Sequence, residues 1–441
     1  MTSAICFTVV LLVLLDTAIR KKDILSPFRI YLFFHGLALG IAFLGLHRAM
    51  TPFFLTTQVV YYGSGLAFLL GTLFPPLIKE TLVPGAETAK PLDSVSYNWR
   101  LHLIISCLVV GFYLSGILIA LKGTGVMPAF AKNVGLAIHN FMTYSFLSNL
   151  GIAACAIALA LLFIAVVSAG KKSPIKKTAI ALTVLVLGIH SLTFSRSSMM
   201  FFFFFALVYF HYAVRKIPIL KLASILLVVF SLFATVAFVK TRSLTAQYGL
   251  KDLSTAKLVK LVFIFPYLYF ANNFWNLDYG INGENYRERY KPTYGFTTVS
   301  GLYNVLTTGG ALWGPDLRES YGWEDISHSQ TQKVKGLNTV GYQWGLYKDF
   351  GMAGTLILPF LFGWWIALLY RRVRLYPTII NIAVYSFLAY VIAFSWFLAF
   401  WESEVYVYSF LLLIFVTFVC KYSGARGADG SAPVPAARGA V

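Results

Sequence analysis

The stretch Leu150–Gly170, LGIAACAIALALLFIAVVSAG, carries no charge and is followed at once by Lys171, Lys172, Lys176 and Lys177. About 20 apolar residues are what an α-helix needs to cross the hydrocarbon core of a bilayer. A basic cluster at the end of such a run marks the end that stays in the cytoplasm. Outward from this segment, similar runs lie near 2–19, 28–46, 58–78, 101–121, 178–194, 199–214, 217–239, 350–370, 377–400 and 405–420. Eleven transmembrane helices are therefore predicted, in an all-α polytopic membrane protein. The period-two alternation of outer-membrane barrel strands is missing, and helices satisfy their own backbone within lipid.

Composition agrees. The 441 residues are 58% hydrophobic and 12% charged, against about 25% charged for a soluble domain. A soluble enzyme, a nucleic-acid-binding domain and a secreted disulfide scaffold are excluded on that ground. The formal charge of +19 has a topological explanation. With the N-terminus outside, twenty Lys and Arg fall in inner segments and four in short outer loops. The other twelve lie in one long outer segment, and long segments cross largely regardless of charge. The expected orientation is N-terminus out and C-terminus in. Cys6, Cys107, Cys155 and Cys420 lie in or beside apolar runs and read as small buried hydrophobes. The first apolar run has no basic region before it and is not expected to be a cleaved signal.

Four regions follow. Residues 1–239 hold helices one to eight, 240–349 form a large extracytoplasmic loop, 350–421 hold the last three helices, and 422–441 are expected to be a disordered cytoplasmic tail. The long loop needs a functional reason at its length. Within it, 258–277 is half-apolar but interrupted by Lys260, Pro266, Asn272 and Asn273. An interfacial or re-entrant helix is expected there.

Candidate chemistry is concentrated outside. No P-loop or HExxH motif is present, and no Asp-x-Asp to hold a metal–nucleotide-sugar, so no metal or cofactor is expected. Arg196, in the outer turn Ser195-Arg-Ser-Ser198, suits a phosphate and equally suits snorkelling to headgroups. Arg242, Arg287 and Arg289 are further cations of the long segment. Aromatics are dense there, and flat rings with polar edges stack on sugars; Tyr342, Trp344 and Tyr347 are candidates. Asp278, His328 and Asp349 are available for proton transfer.

Asp349 belongs to an ordered run, Asn338–Gly354, NTVGYQWGLYKDFGMAG. Its Tyr347-Lys-Asp349-Phe-Gly351-Met-Ala-Gly354 resembles the Tyr-x-Asp-Phe-Gly-x-x-Gly signature of Wzy-type O-antigen polymerases, the bacterial oligosaccharide repeat-unit polymerases. Thr193-Phe-Ser-Arg196-Ser-Ser is similar to that family's outer Ser-Arg turn. The resemblance implies a glycosyltransferase of the bacterial inner membrane. Such an enzyme passes a glycan from undecaprenyl diphosphate to another lipid-linked repeat unit, with a chain-length regulator and a flippase as companions and no nucleic acid. Arg196, Arg242, Arg287 and Arg289 would then contact the diphosphate, and Asp349, His328 or Asp278 would orient or deprotonate the acceptor. Asp349 equally reads as a first-turn cap of the ninth helix, with Gly351 and Gly354 permitting close helix packing. The alternatives are an O-antigen ligase acting on the lipid A core and a flippase or transporter. The latter would require mid-membrane charges and paired broken helices.

Overall fold

Residues 2–46, 53–74, 91, 93–131, 134–170, 172–193, 195–219, 221–222, 224–225, 255–282, 292–306 and 339–428 are described by the structure, a computed structural model. Among them, regular elements are helical without exception. In chain order they are α1 (Thr2–Ile19), α2 (Pro27–Ala42), α3 (Leu55–Leu73), α4 (Trp99–Thr124), α5 (Val134–Thr143), α6 (Phe146–Ala153), α7 (Cys155–Ser168), α8 (Pro174–Ser191), α9 (Arg196–Ala213), α10 (Thr255–Asn282), α11 (Phe296–Leu306), α12 (Gln343–Leu375), α13 (Ile379–Phe394) and α14 (Glu404–Ala428). A short 3-10 turn, Phe400–Glu402, joins the last two. Six helical segments of the described chain are long and apolar enough to cross a membrane: Thr2–Ile19, Trp99–Phe130, Leu147–Ser168, Pro174–Ser191, Gln343–Leu375 and Glu404–Ser423. Pro27–Ala42, Ser197–Ala213 and Ile379–Phe394 are apolar but shorter.

Polarity is arranged inside out. Large apolar side chains face outward, with Leu108 68%, Val184 65% and Leu66 59% exposed. Many polar groups are turned inward, and several of them are paired. His102, fully buried, shares hydrogen bonds with the Tyr97 hydroxyl at 2.9 Å and the Leu161 carbonyl at 2.9 Å. A surface of this extent and apolarity is stable only against lipid or protein. Cys107 belongs to this outward face, so the expectation that all four cysteines are buried fails for it.

Two apolar cores organise the interior. The larger is built on α7, α9 and α13, whose facing residues are almost all enclosed. The second joins α2, α3 and α10 to the start of α12. The half-apolar stretch in the long loop belongs here. It is part of a 28-residue helix, α10, and its Asn272, Asn273, Asn276 and Asp278 are buried. An interfacial or re-entrant helix was expected here because of the polar interruptions Lys260, Pro266, Asn272 and Asn273. Asn272 and Asn273 are enclosed by protein, and the neighbouring Asn276 amide donates to the Thr339 carbonyl at 2.9 Å.

Two expected boundaries shift, and one expected helix lies almost wholly outside the described residues. The ninth apolar helix begins at Gln343 and not at 350, with a break at Gly351. The eighth, 217–239, falls almost wholly outside the described residues. The last helix continues past 421 to Ala428, into the region expected to be a disordered tail.

One end of the bundle is held by Asp23, between α1 and α2. Its carboxylate accepts from the Tyr212 hydroxyl at 2.7 Å, the Tyr370 hydroxyl at 2.9 Å and the Leu25 amide at 3.0 Å. His211 Nε2 lies at 3.4 Å and Arg374 at 3.5 Å. Burial by itself would raise this carboxyl. Hydrogen bonds from His211 and Tyr212 and the charge of Arg374 outweigh it and hold Asp23 well below the usual carboxylate range. A group with a depressed folded pKa contributes stability above its unfolded value near 4 and loses it as pH falls through the folded value. Asp23→Asn, which strands Arg374 and His211, should cost about 3 kcal/mol. Thermal unfolding in detergent should show this at pH 7. The deficit should narrow below about pH 4 as the wild-type protein loses the same contribution.

Candidate functional site

Gly351 has φ 59° and ψ −148°, a conformation essentially closed to residues with a Cβ. It divides α12 into a short first piece, Gln343–Phe350, and a long second piece. The second piece lies directly on α3. A Cβ on Gly71 would come within 2.1 Å of the Phe360 carbonyl oxygen, and one on Gly363 within 2.2 Å of that of Phe68. These two glycines, and not Gly351 and Gly354, permit the close helix approach. Gly354 meets its own chain across the break, at Phe350 and Leu346.

Asp349 ends the first piece and is fully buried. One carboxylate oxygen accepts from the Thr293 hydroxyl and the Thr297 amide at 3.0 Å. The other accepts from the amide of Thr298 at 2.7 Å and from its hydroxyl. These amides begin α11 and have no partner within that helix. Asp349 is thus a cap, as the bland reading allowed, but of α11 and not of its own helix. All four donors are supplied by the long segment, which leaves no lone pair well placed for proton abstraction.

Beside this junction is a cavity of about 350 Å³, within the size range of small-ligand sites. Both pieces of α12 contribute to its wall, through Tyr342 and Leu346 and through Leu358–Phe362. The end of α13 and the turn before α14 complete it. Its lining is apolar apart from Thr298, Glu402, Ser395 and the tyrosines 31 and 342. Behind Ser395 is a buried polar chain. His35 meets the Ser395 hydroxyl at 3.0 Å through Nε2 and the Tyr61 hydroxyl at 3.2 Å through Nδ1, and its ring stacks on Tyr31 at 3.8 Å. The Tyr31 and Tyr342 hydroxyls are 3.4 Å apart.

Glu402 is partly buried on the cavity wall. Burial pushes its carboxyl up to about 8; the negative charge of Asp349 adds to this and Lys348 opposes it. Shifts of this kind cluster at functional sites. Neither Glu402 nor His35 was singled out from sequence. A pair of acids, Glu402 and Glu404, in an aromatic turn between two spans, and a histidine inside an apolar run, were the available signals.

The other expected site residues separate. Asp278 is buried in the second core, where it accepts from the Phe54 amide at 3.1 Å and the Asn282 amide at 3.3 Å. It holds the N-terminus of α3 and does not line the cavity. Trp344 is 2% exposed, its ring filling the space above Gly280, and is not available to stack on a sugar. Tyr347 borders the same core, while Tyr342 reaches the cavity. The backbone of Arg196 begins α9 directly after a turn pinned by Thr193, whose hydroxyl accepts from the Ser195 amide at 3.2 Å. The Arg196 side chain, Arg242, Arg287, Arg289 and His328 lie outside the described residues. Among those described, no three His, Cys, Asp or Glu side chains gather to hold a metal ion. No family model, no curated protein and no solved structure matches the chain.

Asp349→Asn keeps the shape but puts a donor where two donors already converge. It should cost about 2–3 kcal/mol at this contact, and hydrogen exchange should show Phe296–Leu306 losing protection before α7 does. Gly351→Ala should lower stability by about 1–3 kcal/mol through backbone strain alone, read as a reduced Tm in detergent.

Proposed function

We propose that this chain is a polysaccharide polymerase of the bacterial inner membrane. It joins undecaprenyl-diphosphate-linked repeat units by glycosyl transfer at the outer face, without nucleotide sugar. The observation that carries the reading is the position of the Tyr347–Gly354 motif. Its aspartate ties α11, a helix of the long outer segment, to the broken helix α12, at the edge of an apolar cavity with an acid on its wall. A lipid-linked sugar needs that combination of greasy wall and polar rim. The diphosphate leaves as a stable anion, so cations at the rim suffice to assist its departure. Arg196, at the start of α9, and Arg242, Arg287 and Arg289 are assigned this role.

The proposed orientation has support from the pattern of contacts. Asp23, Arg29, His211, Tyr370 and Arg374 meet at one end. Asp93 accepts from the Ile379 amide at 2.9 Å, and the Asn98 amide donates to the Cys420 carbonyl at 3.0 Å. Every one of these residues falls in or beside an inner segment when basic residues are taken to mark the cytoplasm. The contacts Asp349–Thr298, Phe54–Asp278 and Ala129–Leu192 join only outer ones.

A transporter is the second reading, favoured by the break at Gly351 beside a cavity. The two separate in one assay. Purified protein in liposomes, given undecaprenyl-diphosphate-linked repeat units with chelator and no nucleotide sugar, should build a ladder of long glycans. A transporter would move the substrate without lengthening it. Arg196→Ala should insert normally yet reduce elongation by about 10²-fold or more; an unchanged ladder removes Arg196 from the site.

A further inference from the structure

One acid, Glu402, lines the cavity and a second, Asp349, lies behind the wall residue Thr298; the two are in opposite states. Asp349 is saturated by donors from Thr293, Thr297 and Thr298. Glu402, held by the turn Phe400–Glu402, has no hydrogen-bond donor at its carboxyl among the described residues. Its side chain is nonetheless placed closely. Oε1 fills a notch above Gly345, where a Cβ would approach to 1.9 Å, and the Thr297 methyl borders the same notch at 3.5 Å. The turn is anchored from α11 as well: the Ser300 hydroxyl donates to the Glu402 carbonyl at 3.4 Å, and Gly301 lies against the Trp401 carbonyl oxygen. A carboxyl that is fixed, borders a cavity and has no partner is available to whatever enters.

Resting on the polymerase reading above, we infer that Glu402 is the base that receives the proton of the acceptor hydroxyl. In this step the acceptor sugar oxygen forms a bond to the anomeric carbon of the donor. The bond from that carbon to the diphosphate oxygen breaks, its electron pair leaving with undecaprenyl diphosphate. The hydroxyl proton passes to a Glu402 carboxylate oxygen, and release to water restores the base. Thr298, whose hydroxyl is on the same wall and donates to Asp349, keeps its lone pairs to orient the incoming hydroxyl.

Among the described residues, three helices supply the groups around the Glu402 carboxyl. α12 supplies the charges, Asp349 and Lys348; α11 faces it with threonines and Ser300; Glu404 begins α14 two residues on. With its carboxyl pushed up to about 8, Glu402 is a stronger base than an ordinary carboxylate, and only a minor fraction is ionised at neutral pH. Below that value the reactive fraction rises about tenfold per pH unit.

The deciding experiment is elongation of undecaprenyl-diphosphate-linked repeat units in proteoliposomes across about pH 5.5 to 9.5, for wild type, Glu402→Gln, Glu402→Asp and Gly345→Ala. Wild-type rate should climb toward about pH 8 and then level. Glu402→Gln should lose about 10²–10⁴-fold, and its residual rate should lack the climb. Glu402→Asp, withdrawn from the notch, should keep the climb at a rate reduced at least about tenfold. Gly345→Ala, which displaces the carboxyl without removing it, should also slow the reaction and keep the climb. Glu402→Gln elongating at the wild-type rate, or with the same pH profile, overturns the assignment and leaves the polymerase reading intact. If Glu402→Gln does not insert, wild-type rates in Glu402→Asp and Gly345→Ala overturn it. A wild-type protein that elongates nothing overturns the polymerase reading itself.

Discussion

The arrangement depends on one buried carboxylate. Asp349 is enclosed between α12 and α11, where a lone charge would be prohibitively costly. The first amides of α11 have no acceptors of their own, and the positive end of its dipole points toward the carboxylate. Each of these liabilities cancels the other, but only if α11 sits on the end of the first piece of α12. That requirement carries Thr298 to the cavity and lays Ser300 and Gly301 along the turn that holds Glu402. A single capping interaction therefore positions three parts of the site at once.

Gly351 is the second constraint, and it follows from packing. The first piece of α12 is committed to the second core through Trp344, whose ring covers Gly280. The second piece is committed to α3 through Gly71 and Gly363, backbone against backbone. A straight helix cannot serve both neighbours. The chain changes direction in one residue, through a conformation reserved for glycine. The cavity opens where the two directions diverge, so it is a product of the break and not an accident of loose packing.

What could be read from the chain, and what could not, follows the range of the forces involved. Lipid burial imposes its demand on each helix separately, so α1, α4, α8 and α14 were visible as local apolar runs. The burial of the α10 asparagines could not be read locally, because a partner such as the Thr339 carbonyl is far away in sequence. Asp349 stood out as part of an ordered motif, but its role is defined by threonines more than fifty residues before it. Asp278 and Trp344 carried suitable chemistry and were drawn into the second core instead. Glu402 was overlooked for the converse reason. An acid in a short turn, with Glu404 two residues on, carries no recognisable pattern, and its character comes from the burial, the Asp349 charge and the Gly345 notch that folding assembles around it.

The two ends of the bundle treat their acids differently, and that contrast bears on where movement is tolerated. At Asp23 the charge is met by Arg374, His211 and two tyrosines from separate helices, which locks α1, α9 and α12 together. At the opposite end the acids are divided between one that is saturated and one that is open. Buried ionic clusters confer specificity of arrangement more than net stability, because desolvation offsets much of their attraction. A fixed arrangement at the Asp23 end lets the other end yield without loss of helix register. Under the proposed polymerase function, entry of a substrate with a long lipid tail would call for such yielding at α11 and the first piece of α12. α11 is joined to the first piece of α12 by the cluster of hydrogen bonds on Asp349, a local attachment that can open and close as a unit.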